Sequence, residues 1–143
     1  MMISTRGRYA LRMMIDLAVN QKDGYVALKD IAQRQHISKK YLEQIIPMLH
    51  KDGLLMTTRG FQGGYRLARD PEKYSVQEIL KAAEGTMAPV ACLEGGENMC
   101  PYNADCVTLP VWEGLQKVVD EYLSGITLKA VVEQQLEKQK KAQ

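Results

Sequence analysis

Three cysteines, Cys92, Cys100 and Cys106, fall at a spacing of C-x7-C-x5-C in the stretch ACLEGGENMCPYNADCVTL. No helical or strand period runs through this stretch, which is rich in Gly, Asn and Pro. Buried structural cysteines ordinarily sit on the apolar face of an element, whereas an irregular loop can fold several thiolates around a point. Soft thiolates select zinc, copper(I) or iron–sulphur clusters. Structural zinc sites use paired C-x2–4-C knuckles, and none is present here. A metal or cluster centre is therefore the first expectation, with reactive redox thiols and inert cysteines as the alternatives. Three ligands leave one of the usual four unassigned.

A second constellation lies upstream, at residues 38–69, SKKYLEQIIPMLHKDGLLMTTRGFQGGYRLAR. Ser38 is a good helix N-cap. Tyr41, Leu42, Ile45, Ile46 and Leu49 then recur at helical period, which turns Lys39, Lys40, Glu43 and Gln44 outward near the helix start. Gly53 suits a helix C-terminus, and residues 54–58 change to strand character. Arg59 and Gly60 open a glycine-rich tip, and Tyr65-Arg66-Leu67 returns as a second strand. Helix, strand, basic tip and strand together predict a recognition helix followed by a wing, with cations where a phosphate backbone would lie. Pro47 removes one backbone bond and is expected to kink or end the helix near Ile46.

The elements that must position these residues can be read in order. Ser4 caps a first helix running to about residue 20, apolar around much of its circumference and hence central to the core. A second helix spans residues 28–35, with Ala27 a poor cap. Only His36 and Ile37 separate it from Ser38, the tight connection of a helix-turn-helix. His36 is a turn residue before it is a ligand or pH sensor, since His enters left-handed conformations readily. His50 reads as a surface residue near a helix C-terminus. Ser75 and Glu78 form a capping-box pattern for a helix over residues 75–84. Pro110 opens another to about residue 123, and Thr127 caps a last helix that fades into a polar, frayed tail. Val111, Leu115, Val118, Val119 and Tyr122 share one face, more apolar surface than one small domain needs. A dimer seam is the expectation, and folding back on the first helix is the alternative.

Charge is unevenly divided. Residues 1–73 carry 13 Lys and Arg against 7 Asp and Glu, whereas residues 74–143 carry 6 against 10. A basic half joined to an acidic half points to a polyanion partner at one end only. No run approaches the ~18 apolar residues of a membrane span, and the N-terminal stretch lacks the features of a secretory signal. A cytoplasmic location without a membrane partner, with thiols kept reduced, is expected. No Ser/His/Asp set or paired-carboxylate pattern stands out, so no enzyme is expected.

The combination resembles the Rrf-two family of bacterial winged helix-turn-helix regulators, which includes IscR, RirA, NsrR and CymR. The matching stretches are STRGRYALRMMIDLA at 4–18, LKDIAQRQHIS at 28–38, YLEQII at 41–46, GLL with RG..GGYRLA at 53–68, and the cysteine loop. The resemblance implies a mostly α fold with a small β-wing. It divides into a winged helix-turn-helix domain at 1–85, a cluster-binding loop at 86–109, and a long dimerisation helix with a C-terminal helix and tail at 110–143. It also implies a homodimeric transcription regulator on double-stranded, palindromic operator DNA. An iron–sulphur cluster, 2Fe–2S favoured and 4Fe–4S in some members, would be held by Cys92, Cys100 and Cys106.

In IscR-type members the positions matching Ser38, Lys40, Glu43 and Gln44 face bases, and an arginine matching Arg59 enters the minor groove. The chemistry agrees: a carboxylate accepts from cytosine N4, and Gln bonds adenine N6/N7. Lys39, Tyr41, Gly60 and Arg66 complete the candidate DNA-binding set, with Tyr9, Arg66 and the Lys39/Lys40 pair read as backbone anchors. The chain departs from IscR where the fourth ligand, a His, should stand three positions after the last Cys; Leu109 is there. The acidic ligand of NsrR-like members has no counterpart either, since that region holds Arg6 and Arg8, and the longer first cysteine interval is RirA-like. Asp105, Glu94, Glu97, His36 of the partner subunit, water or an external thiol remain candidates. A thiol-based or partner-enzyme-controlled regulator of CymR type, without a cluster, is the main alternative. A redox or cluster-transfer protein with no DNA role is a more distant one.

Overall fold

The computed structural model describes residues 3–95 and 100–142. The first helix, α1 (Thr5–Asn20), buries Met13, Met14, Ile15 and Leu17 and lies at the centre of the core, as its apolar circumference requires. Ser4 caps it, its hydroxyl accepting from the Gly7 N–H. That hydroxyl and the Ser4 N–H also donate to Glu84 Oε1, at 2.6 and 2.9 Å, placing a carboxylate at the positive end of the α1 dipole. A Cβ at Gly7 would meet the same carboxylate, so a larger residue there would require the Glu84 side chain to shift.

Helix α2 (Leu28–Gln35) has no side-chain cap at Ala27 and ends at His36, which adopts the left-handed conformation at φ 55°. His36 is therefore a turn residue, as its type suggested. Ser38 caps α3 (Lys39–Lys51), its hydroxyl accepting from Tyr41 N–H at 3.0 Å. Of the two expectations for Pro47, a kink or an end near Ile46, the end is not met, because the helix runs through Pro47 to Lys51. Pro47 deprives the Glu43 carbonyl of its usual donor, but both residues lie on the exposed face. Water can satisfy that carbonyl, while buried Ile45, Ile46 and Leu49 pin both halves to the core.

Gly53, at φ 72°, turns the chain into β1 (Leu55–Thr58), which pairs antiparallel with β2 (Gly64–Leu67) in the register Leu55 with Leu67 and Thr58 with Gly64. Val26 adds a bridge to Tyr65 through two 2.8 Å backbone bonds. After a 3-10 turn at Pro71–Lys73 comes α4 (Val76–Glu84), capped by Ser75. Only half of the expected capping box forms: Ser75 accepts from Glu78 N–H, but the Glu78 carboxylate turns instead to Arg69 at 2.6 Å. Helix α5 (Leu109–Ser124) buries no residue fully, and α6 (Leu128–Lys141) returns Leu128 and Val132 to the main core. The helix that folds back on α1 is thus α6, while α5 packs on α4. The last helix also extends to Lys141, beyond the frayed boundary expected from composition.

Two buried polar groups lock these parts together. Asp16, 1% exposed, accepts from Arg34 Nη2 at 2.7 Å, Arg34 Nε at 3.0 Å and Gln35 Nε2 at 2.9 Å, while Arg12 donates to the Gln35 side chain and carbonyl. Tyr74 is buried beneath the wing; its hydroxyl donates to the Leu54 carbonyl at 2.7 Å and accepts from Ala68 and Arg69 N–H. Tyr74→Phe leaves this buried backbone short of partners at a cost of about 2 kcal/mol. The expected result is a lower urea midpoint at unchanged m-value; an unchanged midpoint would show that the hydroxyl contributes nothing.

Candidate nucleic-acid interface and cysteine loop

The outward residues of α3 sit where the helical period places them. Ser38, Lys39, Lys40, Glu43 and Gln44 are all exposed, while Leu42 and Ile45 beside them are buried. Lys39 and Glu43 share a cleft of about 520 Å³ with Thr57, Thr58, Arg59 and Gly60, so one concavity joins the recognition helix to the wing. Gln44, Lys40 and Ser38 lie outside that lining. Tyr41 is half-buried and meets Tyr9 edge-on, ring centroids 5.3 Å apart, with Arg12 over the Tyr9 ring. Tyr41 thus fastens the start of α3 to α1 as well as flanking the exposed set.

The wing is shaped by its glycines. A Cβ on Gly64 would run into the Val26 carbonyl, and one on Gly63 would lie 2.6 Å from the Thr58 carbonyl oxygen. No other residue type permits that approach of backbone to backbone. Arg66 is only partly exposed: its guanidinium lies 5.7 Å from the Tyr25 ring centroid, and its Nε is buried with no hydrogen-bond partner among the described residues. Arg59 and Gly60 are open to solvent.

The cysteines leave the core altogether. Cys92 falls in a 3-10 turn at Ala91–Leu93, Cys106 follows another at Asn103–Asp105, and all three thiols are partly exposed. Among the described residues no three His, Cys, Asp or Glu side chains converge on a point that would hold a metal ion. Glu94 and Asp105 are exposed, Leu109 is the first residue of α5, and Glu97 lies outside the described residues. The Cys106 thiol is held below its ordinary range, first by the Thr108 hydroxyl at 3.4 Å and then by the backbone N–H groups of Thr108 and Leu109. The donor chemistry fits a thiolate-ligated group: soft donors, irregular backbone, one thiol already biased towards its anion.

Residues 3–134 match the family model Rrf2, described as an iron-dependent transcriptional regulator. The chain belongs to the Rrf2 family. It is 43% identical over 129 residues to protein rrf2 of Nitratidesulfovibrio vulgaris, covering 90% of this chain and 85% of that protein. IscR of T. potens superposes with a TM-score of 0.75 at 39% identity, over 97% of this chain and 91% of that one. CymR, the global cysteine regulator of B. subtilis, does so with 0.73 at 35% identity, over 93% and 97%. This Rrf2 protein is accordingly a DNA-binding transcriptional regulator rather than an enzyme. No helix among its described residues is long and apolar enough to cross a membrane.

Sequence reasoning did not single out Asp16, Arg34 or Tyr74, although they fix the helix-turn-helix and wing. The signal for Asp16 was present: one carboxylate between Ile15 and Leu17 in a helix apolar around much of its circumference. The Thr108 hydroxyl favours the Cys106 thiolate, so Thr108→Val raises that thiol's pKa. In metal-free protein, iodoacetamide should alkylate Cys106 more slowly at neutral pH, with its pH–rate profile moved to higher pH. An unmoved profile would show that Thr108 does not set the thiol's state.

Proposed function

We propose that this regulator is a cytoplasmic homodimer that binds palindromic double-stranded DNA through Ser38, Lys39, Lys40, Tyr41, Glu43, Gln44, Arg59, Gly60 and Arg66. It senses iron–sulphur, iron or redox status through an iron–sulphur cluster, 2Fe–2S in the first instance and 4Fe–4S in the second, on Cys92, Cys100 and Cys106. The observation that carries the reading is the division of labour along the chain. Lys39, Glu43 and Arg59 border one open cleft, and the three partly exposed thiols sit on the connection between α4 and α5.

A bound cluster supplies a centre sensitive to oxygen, iron supply and electron transfer. The chain's own residues turn that chemistry into a DNA response. Gathering the three thiols shortens the path from Gly85, at the end of α4, to Leu109, at the start of α5. Because α4 packs on both α1 and α3, a constraint on this connection bears on the recognition helix. The exposed face of Val111, Leu115, Val118 and Tyr122 is the seam on which two α5 helices pair. Pairing sets the distance between two recognition helices, and hence the half-site spacing. Cysteine loop, wing domain and paired C-terminal helices then act as three functional parts at 86–109, 1–85 and 110–143.

A second reading has its own observation. The lowered Cys106 thiol and the absence of a His at Leu109 favour direct oxidation of the thiols, without a cluster, on the same fold. Anaerobic purification followed by a visible spectrum and iron and sulphide assays separates the two. About two iron and two sulphide per chain are expected for 2Fe–2S. A protein that stays colourless after reconstitution removes the cluster and leaves the thiol switch. Cys92→Ala should abolish the response of DNA affinity to cluster loading while sparing the fold; a mutant that responds like wild type would sink the sensing mechanism. Val118→Glu should give a monomer in sedimentation and weaken operator binding at least about tenfold, since one recognition helix is lost from the complex. A dimer that persists would move the seam elsewhere.

A further inference from the structure

The wing carries one residue that the DNA-binding set above omits. Phe61, the only Phe in the chain, stands at the wing tip with its side chain wholly in solvent, at 104% relative exposure. Residues 56–62 are exposed without interruption, so no part of the protomer covers this apex. A backbone bond closes the turn that presents it. Gly63 N–H donates to the Gly60 carbonyl at 3.0 Å, closing a four-residue turn with Phe61 and Gln62 at its two central positions. Gly60 enters the turn at φ 108°, a conformation that favours glycine, and Gly63 and Gly64 approach neighbouring backbone closely at its base. Arg59 adjoins Phe61 and borders the same cleft as Lys39 on the recognition helix.

An aromatic ring standing in water at the tip of a hairpin gains nothing for the free protein. A ring two residues from an arginine that borders the helix-and-wing cleft matches another surface, the apolar sugar walls and base edges at the floor of a DNA minor groove. Apolar side chains carried into that groove beside cations part-open a base step and read how easily the duplex deforms. We propose that Phe61 enters the minor groove next to Arg59 as an apolar wedge, adding affinity that does not depend on salt and a preference for deformable steps under the wing. The inference rests on the DNA-binding reading above, and it adds a contact that no phosphate or hydrogen-bond recognition would supply.

The test exploits the difference between a charge and a wedge. Duplexes enriched by the full-length wild-type protein from a random library serve as the probe, and binding is titrated across a range of salt. Phe61→Ala should weaken binding roughly tenfold per wing, the scale of one aromatic–base contact, with the slope of log affinity against log salt unchanged. Arg59→Ala should flatten that slope by about 0.9 per wing, hence about 1.8 for a dimer with both wings engaged, as the released counterions require. Phe61→Leu, which keeps an apolar wedge, should restore most of the loss. Selection repeated with Phe61→Ala should lose enrichment of TA and CA/TG steps at the wing-facing positions while keeping the sequence read by α3. Because Phe61 touches nothing in the protomer, its thermal stability should not change. Equal affinity and equal selection by wild type and Phe61→Ala overturn the inference and leave the DNA-binding reading intact. A wild-type protein that enriches no duplex removes both.

Discussion

The carboxylate of Asp16 is the constraint on which the DNA-binding geometry depends. It is buried, and water cannot solvate it, so its charge must be met by protein donors. Arg34 meets it with two N–H groups and Gln35 with a third, both from the last turn of α2. Arg12, one turn before Asp16 on α1, then holds Gln35 at its side chain and its carbonyl. The end of α2 is thereby fixed in rotation and in height against α1. Only His36 and Ile37 lie between that point and the Ser38 cap, so the direction of α3 follows from it. An ion pair with its carboxylate buried and its guanidinium partly open to solvent is a weak source of net stability, because desolvation of the carboxylate offsets much of the attraction. Apolar contacts would let α2 slide on α1; the ion pair admits one register.

From α1 the same frame extends to the cysteine loop. Glu84 is bonded to Ser4 at the start of α1, and α4 touches α1, α3 and α5. One short helix thus stands between the recognition helix and the chain that carries the thiols. Tyr74 ties the wing's base to the start of α4, and a backbone bridge between Ser75 and Thr127 ties α4 to α6. Any device that changes the path between Gly85 and Leu109 acts on a helix already rigidly joined to the DNA-reading parts.

How much of this was legible in the sequence depends on how local the cause is. Ser4, Ser38, Ser75 and Thr127 each cap the helix that their type and position announced, because a cap is settled within four residues. His36 and Gly53 likewise take the left-handed conformations their types favour. The exposed row on α3 follows from a single helical period. Tertiary context decides the rest. Pro47 does not end α3, because its cost falls on a solvent-facing carbonyl while buried neighbours hold the helix. Glu78 abandons its capping role for Arg69, which a search within four residues cannot find. Asp16 meets partners 18 and 19 residues away, and the return of α6 to the core shows only weakly in a helix whose apolar face fades. The cysteine spacing suggests thiolate chemistry, but nothing local dictates how the three thiols are placed relative to one another.

The two exposed apolar surfaces differ in a way that decides what each can meet. On α5 the apolar residues form a long face flanked by Glu113, Lys117 and Glu121, and they belong to the acidic half of the chain. A phosphate backbone would be repelled there, whereas a second acidic helix can be accommodated if its charges stay at the rim and its apolar face is covered. Phe61 is solitary, too small an area for a protein interface, and set in the basic half beside Arg59. The segregation of charge therefore orients the molecule before any specific contact forms. On the proposed reading a polyanion is drawn to the helix-and-wing side and away from the α5 face, so that face can stay apolar without competing for DNA. That separation would let one small chain carry both an association surface and a nucleic-acid surface.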